Sequence, residues 1–292
     1  MWMVQIAAFA KINLYLDIVG VREDKYHLLH SVMQSISLAD DISIKQASRK
    51  GIQVTCNHSE IPCDETNTAY LAAQYFCEAY DITPEIKIHI DNHIPMQSGL
   101  AGGSADAAAV LNGLNRLYGI NATPEELRKI GAEVGSDVPF CITGGTSEVE
   151  GVGNIIKPIA PLSEDYFIVI AKPSGGMSTK VAYKKYDRYG HPKDTIPQAS
   201  DLIAAIQSNR TQDICSNMYN VFEHIHNDED VEAILRTMRE NGAQGCMMSG
   251  SGTACFGIFA DKTRAKHCYY KLKQVSGSVF LTRPVPKGAQ IL

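Results

Sequence analysis

Four groups of residues in this 292-residue chain have types and spacings that could do chemistry. The stretch Pro95-Met96-Gln97-Ser98-Gly99-Leu100-Ala101-Gly102-Gly103-Ser104 is small and glycine-rich. From Ala105 onward it becomes a segment in which Ala107, Val110, Leu111, Leu114 and Tyr118 recur at helical spacing. Glycines at a helix entrance let backbone N–H groups approach an anion, and the helix dipole adds positive potential, so this segment can cradle a phosphate. It is not a Walker sequence, because no Gly-Lys-Ser/Thr closes it, and it lacks the Gly-x-Gly-x-x-Gly spacing of a dinucleotide fold. An ordinary tight turn before a helix is the competing reading. Lys11 and Asn13 interrupt an apolar strand and, two residues apart, face the same way; they are either a solvated patch or a cation and an amide held for chemistry. Asp137, in Ser136-Asp137-Val138-Pro139-Phe140, is a lone carboxylate that suits proton transfer, a helix cap or a turn. Ser249-Gly250-Ser251-Gly252-Thr253 is a second glycine-rich loop, whose bland reading is a hairpin turn.

The elements that must position these groups can be read from periodicity and punctuation. Ile6–Val19 alternates as a strand, and Arg22–Lys25 is a charged turn followed by Tyr26-His27. Ser31–Ile44 is strand-like with Asp40-Asp41 as a turn, Ile52–Cys56 continues the sheet, and Asn67–Tyr80 is a helix. Ile86–Ile90 is a strand leading into the glycine loop, and Gly119 stops the helix after it. Thr123-Pro124-Glu125-Glu126 is a capping box with Pro at the first helical position; that helix buries Leu127, Ile130 and Val134 and ends at Gly135. Asp137 then precedes an apolar strand.

Pro158–Asp165 is proline-punctuated and aperiodic, which places a domain boundary there and gives domains 1–158 and 159–292. The second half reads as a strand at Phe167–Ala171 and helices near Thr179–Tyr186, Ala199–Ile206 and Met218–His226. After these come a helix at Val231–Arg239, strands at Gly245–Met248 and Ala254–Phe259, a helix at Thr263–Gln274 and a strand at Val279–Thr282. Two helices on one face of an antiparallel sheet satisfy that order, so the fold class is α+β.

Composition narrows the function. A net charge of −5 with no Lys/Arg run argues against nucleic acid as a partner. No apolar run has the length of a membrane span, and Met1–Ala10 lacks the features of a signal peptide, so a cytoplasmic location is expected. The eight cysteines form no Cys-x-x-Cys pair and are expected to be reduced, with Cys56, Cys77, Cys141, Cys246, Cys255 and Cys268 as small core residues. His89 and His93 have metal-like spacing but straddle a strand end, and His224 and His226 read as solvated helix residues.

Taken together, Ala10-Lys11-Ile12-Asn13-Leu14, Gly20-Val21-Arg22-Glu23-Asp24-Lys25-Tyr26-His27, the Pro95–Ser104 loop, Gly135–Phe140 and Met248–Gly252 resemble the GHMP kinases. This is the superfamily of galactokinase, homoserine kinase, mevalonate kinase and phosphomevalonate kinase, and the resemblance covers nearly the whole chain. It implies a two-domain fold, with an N-terminal lobe like domain 2 of ribosomal protein S5 and a ferredoxin-like C-terminal lobe. It also implies ATP as co-substrate, Mg²⁺, and phosphoryl transfer to the 2-hydroxyl of a cytidine-diphosphate-linked methylerythritol in the non-mevalonate route to isoprenoids. Homoserine or mevalonate as acceptor, or a catalytically silent nucleotide binder, are the alternatives.

By the same resemblance Asp137 accepts the hydroxyl proton and Lys11 keeps it ionised and stabilises developing charge, roles that phosphoryl transfer needs in place of a covalent intermediate. Pro95 to Ala105 would grip the ATP phosphates, with Ser104 also a candidate Mg²⁺ partner and Asn67 near the adenine. Gly250, Ser251 and Gly252 would approach from the second domain. Tyr26 and Tyr183 would stack on cytosine, His27 would read its edge, and Asn13 would contact substrate. The resemblance leaves open a monomer or a homodimer. Gln97 and Ser98 stand where many members have glycines, Ala105 and Asp106 where many have Ser and Asn, and Asn154 where an acid is common.

Overall fold

The twelve residues between Ala8 and Val21 hold no turn-forming Asn-Gly, Asp-Gly or Pro-Gly pair, and the chain uses them to build one long strand. In the computed structural model, which describes residues 3–175, 177–192, 196–226 and 228–292, β1 runs Met3–Val21 and pairs antiparallel with β2, His27–Gln46. The Asp40-Asp41 turn expected from sequence is absent. Asp40 lies inside β2, fully buried, because its carboxylate accepts the backbone N–H groups of His93 and Ile94 at 2.5 and 2.7 Å. An acid with that many donors need not turn out to solvent.

β3 (Gly51–Cys56), α1 (Thr68–Ala79) and β4 (Glu85–Asp91) follow, then α2 (Gly102–Tyr118), α3 (Pro124–Val134), α4 (Val138–Thr143) and the hairpin β5 (Thr146–Gly151) and β6 (Ile155–Pro158). The main path of the sheet through β1 is ordered β12-β1-β2-β4-β3, where β12 is Gln290–Ile291; β5 pairs β2, β6 pairs β5, and β8, Tyr219–Asn220, pairs β1. α2 presses on its face so closely that a Cβ on Gly113 would come within 2.6 Å of Ile44 and 2.8 Å of Ile6. The expected capping box forms, with Thr123 and Glu126 exchanging hydrogen bonds. α2 begins at Gly102, three residues before the Ala105 start read from sequence, so Gly102, Gly103 and Ser104 form its first turn. Poor helix formers hide such a start from a propensity reading. After Asp137 comes the short helix α4, where a strand was expected; Pro139 fits the first turn of a helix.

The smaller sheet has order β11-β7-β10-β9, all antiparallel, from β7 (Phe167–Lys172), β9 (Gly245–Met248), β10 (Cys255–Phe259) and β11 (Ser278–Thr282). α8 (Glu229–Glu240) and α9 (Lys262–Leu272) bury Val231, Ile234, Leu235, Met238, Ala265, Cys268 and Leu272 against it, the expected two-helix arrangement. α5 (Thr179–Tyr189), α6 (Ala199–Gln207) and α7 (Thr211–Ser216) precede these. The Met218–His226 helix expected from sequence is instead a two-residue strand, β8 (Tyr219–Asn220), and a 3-10 turn at Glu223–Ile225, because Tyr219 and Asn220 pair parallel to Tyr15 and Leu16 of β1. β12 (Gln290–Ile291) pairs antiparallel with Ile6 and Ala7 of β1, on the same edge as β8 and away from β2. The second half of the chain thus stitches itself back to the strand that carries Lys11.

Candidate active site

Two irregularities in β1 create the site. Its pairing with β2 shifts register between Phe9 and Lys11 and again between Asn13 and Tyr15. A bulge of this kind frees backbone groups from the ladder and re-aims side chains. Lys11 N–H donates to the carbonyl of Leu100 in the glycine loop at 3.1 Å, and Asn13 N–H to Ser249 Oγ at 3.3 Å. One strand therefore holds both glycine loops.

Lys11 and Asn13 are buried, at 4% and 1% exposure, so the solvated-patch reading of this pair fails. Ser31 Oγ donates to the Tyr15 carbonyl and accepts from Asn13 Nδ2 at 2.9 Å; Asn13 Oδ1 then accepts from Lys11 Nζ at 2.7 Å. With its amide orientation fixed at both ends, Asn13 aims the ammonium, whose nitrogen lies 3.5 Å from Asp137 Oδ2. Asp137 makes no capping hydrogen bond to α4, which leaves its carboxylate for other partners.

The glycine loops are docked on each other. Ser249 Oγ donates to the Gly99 carbonyl at 3.1 Å and Ala254 N–H to the Ser98 carbonyl at 3.0 Å. Asn220, 2% exposed, braces the second loop by donating to the Met248 and Gly250 carbonyls at 2.8 and 2.9 Å, while Glu223 accepts from Met248 N–H at 2.7 Å. Burial raises the Glu223 carboxyl above its ordinary range. The second loop is thus more than a hairpin turn between β9 and β10. Below the first loop, Asp106 on α2 hydrogen-bonds Asp40; burial, and then the Asp40 charge, push its carboxyl well above the usual range.

A cavity of about 570 Å³ opens over these groups, lined by Lys11, Asn13, Asn67, Pro95 to Gly99, Ala101 to Ser104, Asp137, Thr179, Tyr183, Gly250 and Ser251. Leu100 and Ala105 are buried behind the lining, and Gly252 is held at the second loop's base. Asn67 caps α1 by accepting from Ala69 N–H at 2.8 Å and donates to the Pro62 carbonyl, so its side chain shapes the wall. A second cavity of about 650 Å³ shares Leu29, Gly135, Ser136, Thr179 and Tyr183 with the first, and Asp24, Lys25, Tyr26, His27, Glu133 and Asn154 are among its other walls. Tyr26 is exposed at its mouth; His27 and Tyr183 rings lie 4.8 Å apart. Burial, and then the Asp137 carboxylate, push the Tyr183 phenol above its ordinary range, so it stays a neutral donor.

Sequence reasoning missed Ser31, Thr179 and Asn220, polar residues whose role exists only through contacts distant in the chain. His226 is also a correction. It ends the 3-10 turn with both ring nitrogens buried and without partners among the described residues, and burial lowers its basicity. His89 bonds Thr55, whereas His93 lies 3.7 and 3.8 Å from Asp41 and Asp91 in an open group. His30, Glu148 and Glu150 also converge, but Lys157 already neutralises that cluster at 2.6 Å from Glu150. All eight cysteines are free, with Cys77, Cys141, Cys255 and Cys268 buried and Cys63 exposed. Among the described residues no helix is long and apolar enough to cross a membrane.

Comparison with known proteins agrees with this geometry. The family model described as the GHMP kinases N terminal domain matches residues 67–145, and that described as GHMP kinases C terminal matches 202–276. A protein of Clostridium botulinum (strain Alaska E43 / Type E3) named 4-diphosphocytidyl-2-C-methyl-D-erythritol kinase is 42% identical over 96% of this chain and 99% of its own. A crystal structure of 4-(cytidine 5'-diphospho)-2C-methyl-D-erythritol kinase superposes with TM-score 0.79 at 28% identity, covering 96% of this chain and 98% of that one. Homoserine kinase from Cytophaga hutchinsonii shares the fold, with TM-score 0.77 at 19% identity over 99% and 97% of the two chains. The chain belongs to the GHMP kinase family, in the branch whose curated members are named 4-diphosphocytidyl-2-C-methyl-D-erythritol kinase.

Proposed function

We propose that this protein transfers the γ-phosphoryl group of ATP to the 2-hydroxyl of 4-diphosphocytidyl-2-C-methyl-D-erythritol, giving the 2-phosphate and ADP. The observation that carries this reading is the position of the Lys11–Asp137 pair, 3.5 Å apart, where a glycine-lined cavity meets a second cavity walled by aromatic rings. ATP occupies the first cavity, its phosphates against the backbone of Pro95 to Ala105 and the first turn of α2, where orphan N–H groups and the helix dipole favour an anion. Asn67 holds the wall beside the adenine.

The cytidine end occupies the second cavity, with Tyr26 and Tyr183 against the faces of the base and His27 at its edge. A polar chain of alcohol and diphosphate then brings the hydroxyl to Asp137. Asp137 takes the hydroxyl proton; Lys11, aimed by Asn13, keeps the carboxylate ionised and steadies the charge on the attacking oxygen. Gly250, Ser251 and Gly252 close the far side of the phosphates. In this role Asn13 acts mainly by positioning Lys11.

The donors near the phosphates suit Mg²⁺, which keeps several waters and takes few protein ligands. Ser104 offers a hydroxyl in the cavity, while Asp106 is engaged with Asp40. Ser104 would hold the ion, which when bound neutralises charge on the transferring group. Residues 1–158 and 159–292 act as two lobes clamped across these loops, with β8 and β12 returning to the first.

ADP release with ATP, Mg²⁺ and the cytidylated substrate, with homoserine, mevalonate and the uncytidylated methylerythritol phosphate alongside, tests the reading. Turnover confined to the cytidylated alcohol is expected. Turnover with homoserine or mevalonate would keep the kinase and remove the cytosine pocket. ATP binding without turnover on any alcohol would make the chain a silent nucleotide binder.

A further inference from the structure

The His27 ring is held on three sides. Tyr183 lies against it at 4.8 Å between centroids and Tyr186 meets it edge-on at 5.9 Å, leaving the side chain 12% exposed. In the plane of the ring, Nε2 is 2.7 Å from Asp187 Oδ1. Nδ1 has no hydrogen-bond partner among the described residues, and His27 lines the aromatic cavity. Tyr183, Tyr186 and Asp187 all belong to α5, so one helix fixes the ring's tilt and engages one of its nitrogens.

A carboxylate accepts but cannot donate. A neutral imidazole facing one must therefore carry its proton on the nitrogen that faces it, and the other nitrogen keeps a lone pair. We propose that Asp187 is a specificity-determining positioning residue: by fixing the Nε2–H tautomer of His27, it leaves Nδ1 as an obligate acceptor that takes the exocyclic amine of cytosine and rejects the O4 carbonyl of uracil. The inference rests on the reading that the aromatic cavity takes the cytidine end of the substrate. Amine and carbonyl are nearly isosteric, so shape alone discriminates weakly; a lone pair set against a lone pair discriminates strongly. Without Asp187 the ring is free to take the other tautomer, donate to O4 and admit uracil. Asp187 is itself 57% exposed, so replacing it leaves the core untouched.

Two measurements test this. The first uses the free protein: the ¹⁵N shifts of the His27 imidazole, recorded well above the ordinary histidine range of ~6.5, report which nitrogen is protonated. The Nε2–H form is expected in the wild type and a mixture of tautomers in Asp187→Ala. A wild type resting in the Nδ1–H form would overturn the proposal, whatever the substrate proves to be. The second compares kcat/KM for the cytidine-diphosphate-linked alcohol with its uridine analogue. Asp187→Ala and Asp187→Asn should lower the cytidine-to-uridine ratio by roughly 10-fold or more, with part of the change a gain on the uridine substrate. An unchanged ratio in both variants, or an equal loss on both substrates, would overturn it. If the wild type phosphorylates neither analogue, the functional reading fails, while the tautomer measurement still decides the role of Asp187.

Discussion

Gly99→Ala separates the two glycine loops, and its cost can be worked from the contacts between them. Gly99 has φ +78°, and a Cβ placed there would lie 2.1 Å from the carbonyl oxygen of Ser249 and 3.4 Å from the backbone nitrogen of Gly252. The obstruction is backbone, and Ser249 is fully buried, so no side-chain rotation relieves it. Holding alanine in the left-handed region costs about 1–2 kcal/mol. Pushing the loops apart breaks Ser249 Oγ to Gly99 O and Ala254 N to Ser98 O, at about 1 kcal/mol each. The sum, roughly 3–4 kcal/mol, should lower kcat/KM for ATP by ~10²-fold or more and the melting temperature by roughly 5–15 °C. Steady-state kinetics with varied ATP and thermal denaturation read both. Gly135→Ala is the control for stability: its added Cβ would meet nothing closer than Val138 at 3.6 Å, so it should melt with the wild type. Gly99→Ala turning over ATP within about threefold of wild type would refute the idea that the loops work as one docked unit.

Three further outcomes follow from the same contacts. Asn220→Ala removes both donors to the Met248 and Gly250 carbonyls; kcat/KM should fall ~10-fold, and normal kinetics would show that the second loop needs no brace. Burial raises the Glu223 carboxyl, so the folded state holds this proton more tightly than the unfolded chain. Stability from the group is therefore lost as pH rises from its ordinary value through the folded one, and Glu223→Gln, which keeps an acceptor for Met248 N–H, should melt higher than wild type at neutral pH and alongside it at acid pH; equal melting at both would remove the burial argument. Lys11→Met should lower kcat by ~10²–10³-fold with a smaller change in KM for either substrate, and a change confined to KM would make Lys11 a binding residue only.

What could be read from sequence and what could not divide along physical lines. Helices with caps and sharp apolar periodicity, such as α3 after Thr123, and the strand–helix order of the second lobe were legible because local rules fix them. The glycine loop, Lys11, Asn13 and Asp137 were legible as chemistry only when read together through their resemblance to the GHMP kinases; taken singly, each also fitted a turn, a solvated patch or a cap. Asp40 misled: two adjacent acids signal a turn, and only the N–H groups of His93 and Ile94, more than fifty residues away, make a buried position tolerable. Met218–His226 misled likewise, since parallel pairing with β1 overrides its local helical pattern. Asn220 and Ser31 carry no local signal, and both matter only through bonds to segments distant in the chain.

In the proposed reaction Asp137, set by Lys11, takes the proton from the acceptor hydroxyl. A single-turnover rapid-quench measurement with Asp137→Asn, alongside binding of ATP and the cytidylated alcohol, tests it most directly. The rate of the chemical step should fall by ~10²–10⁴-fold while both dissociation constants stay within a few-fold of wild type. A chemical step close to the wild-type rate, or a loss of activity explained by failure to bind, would contradict it.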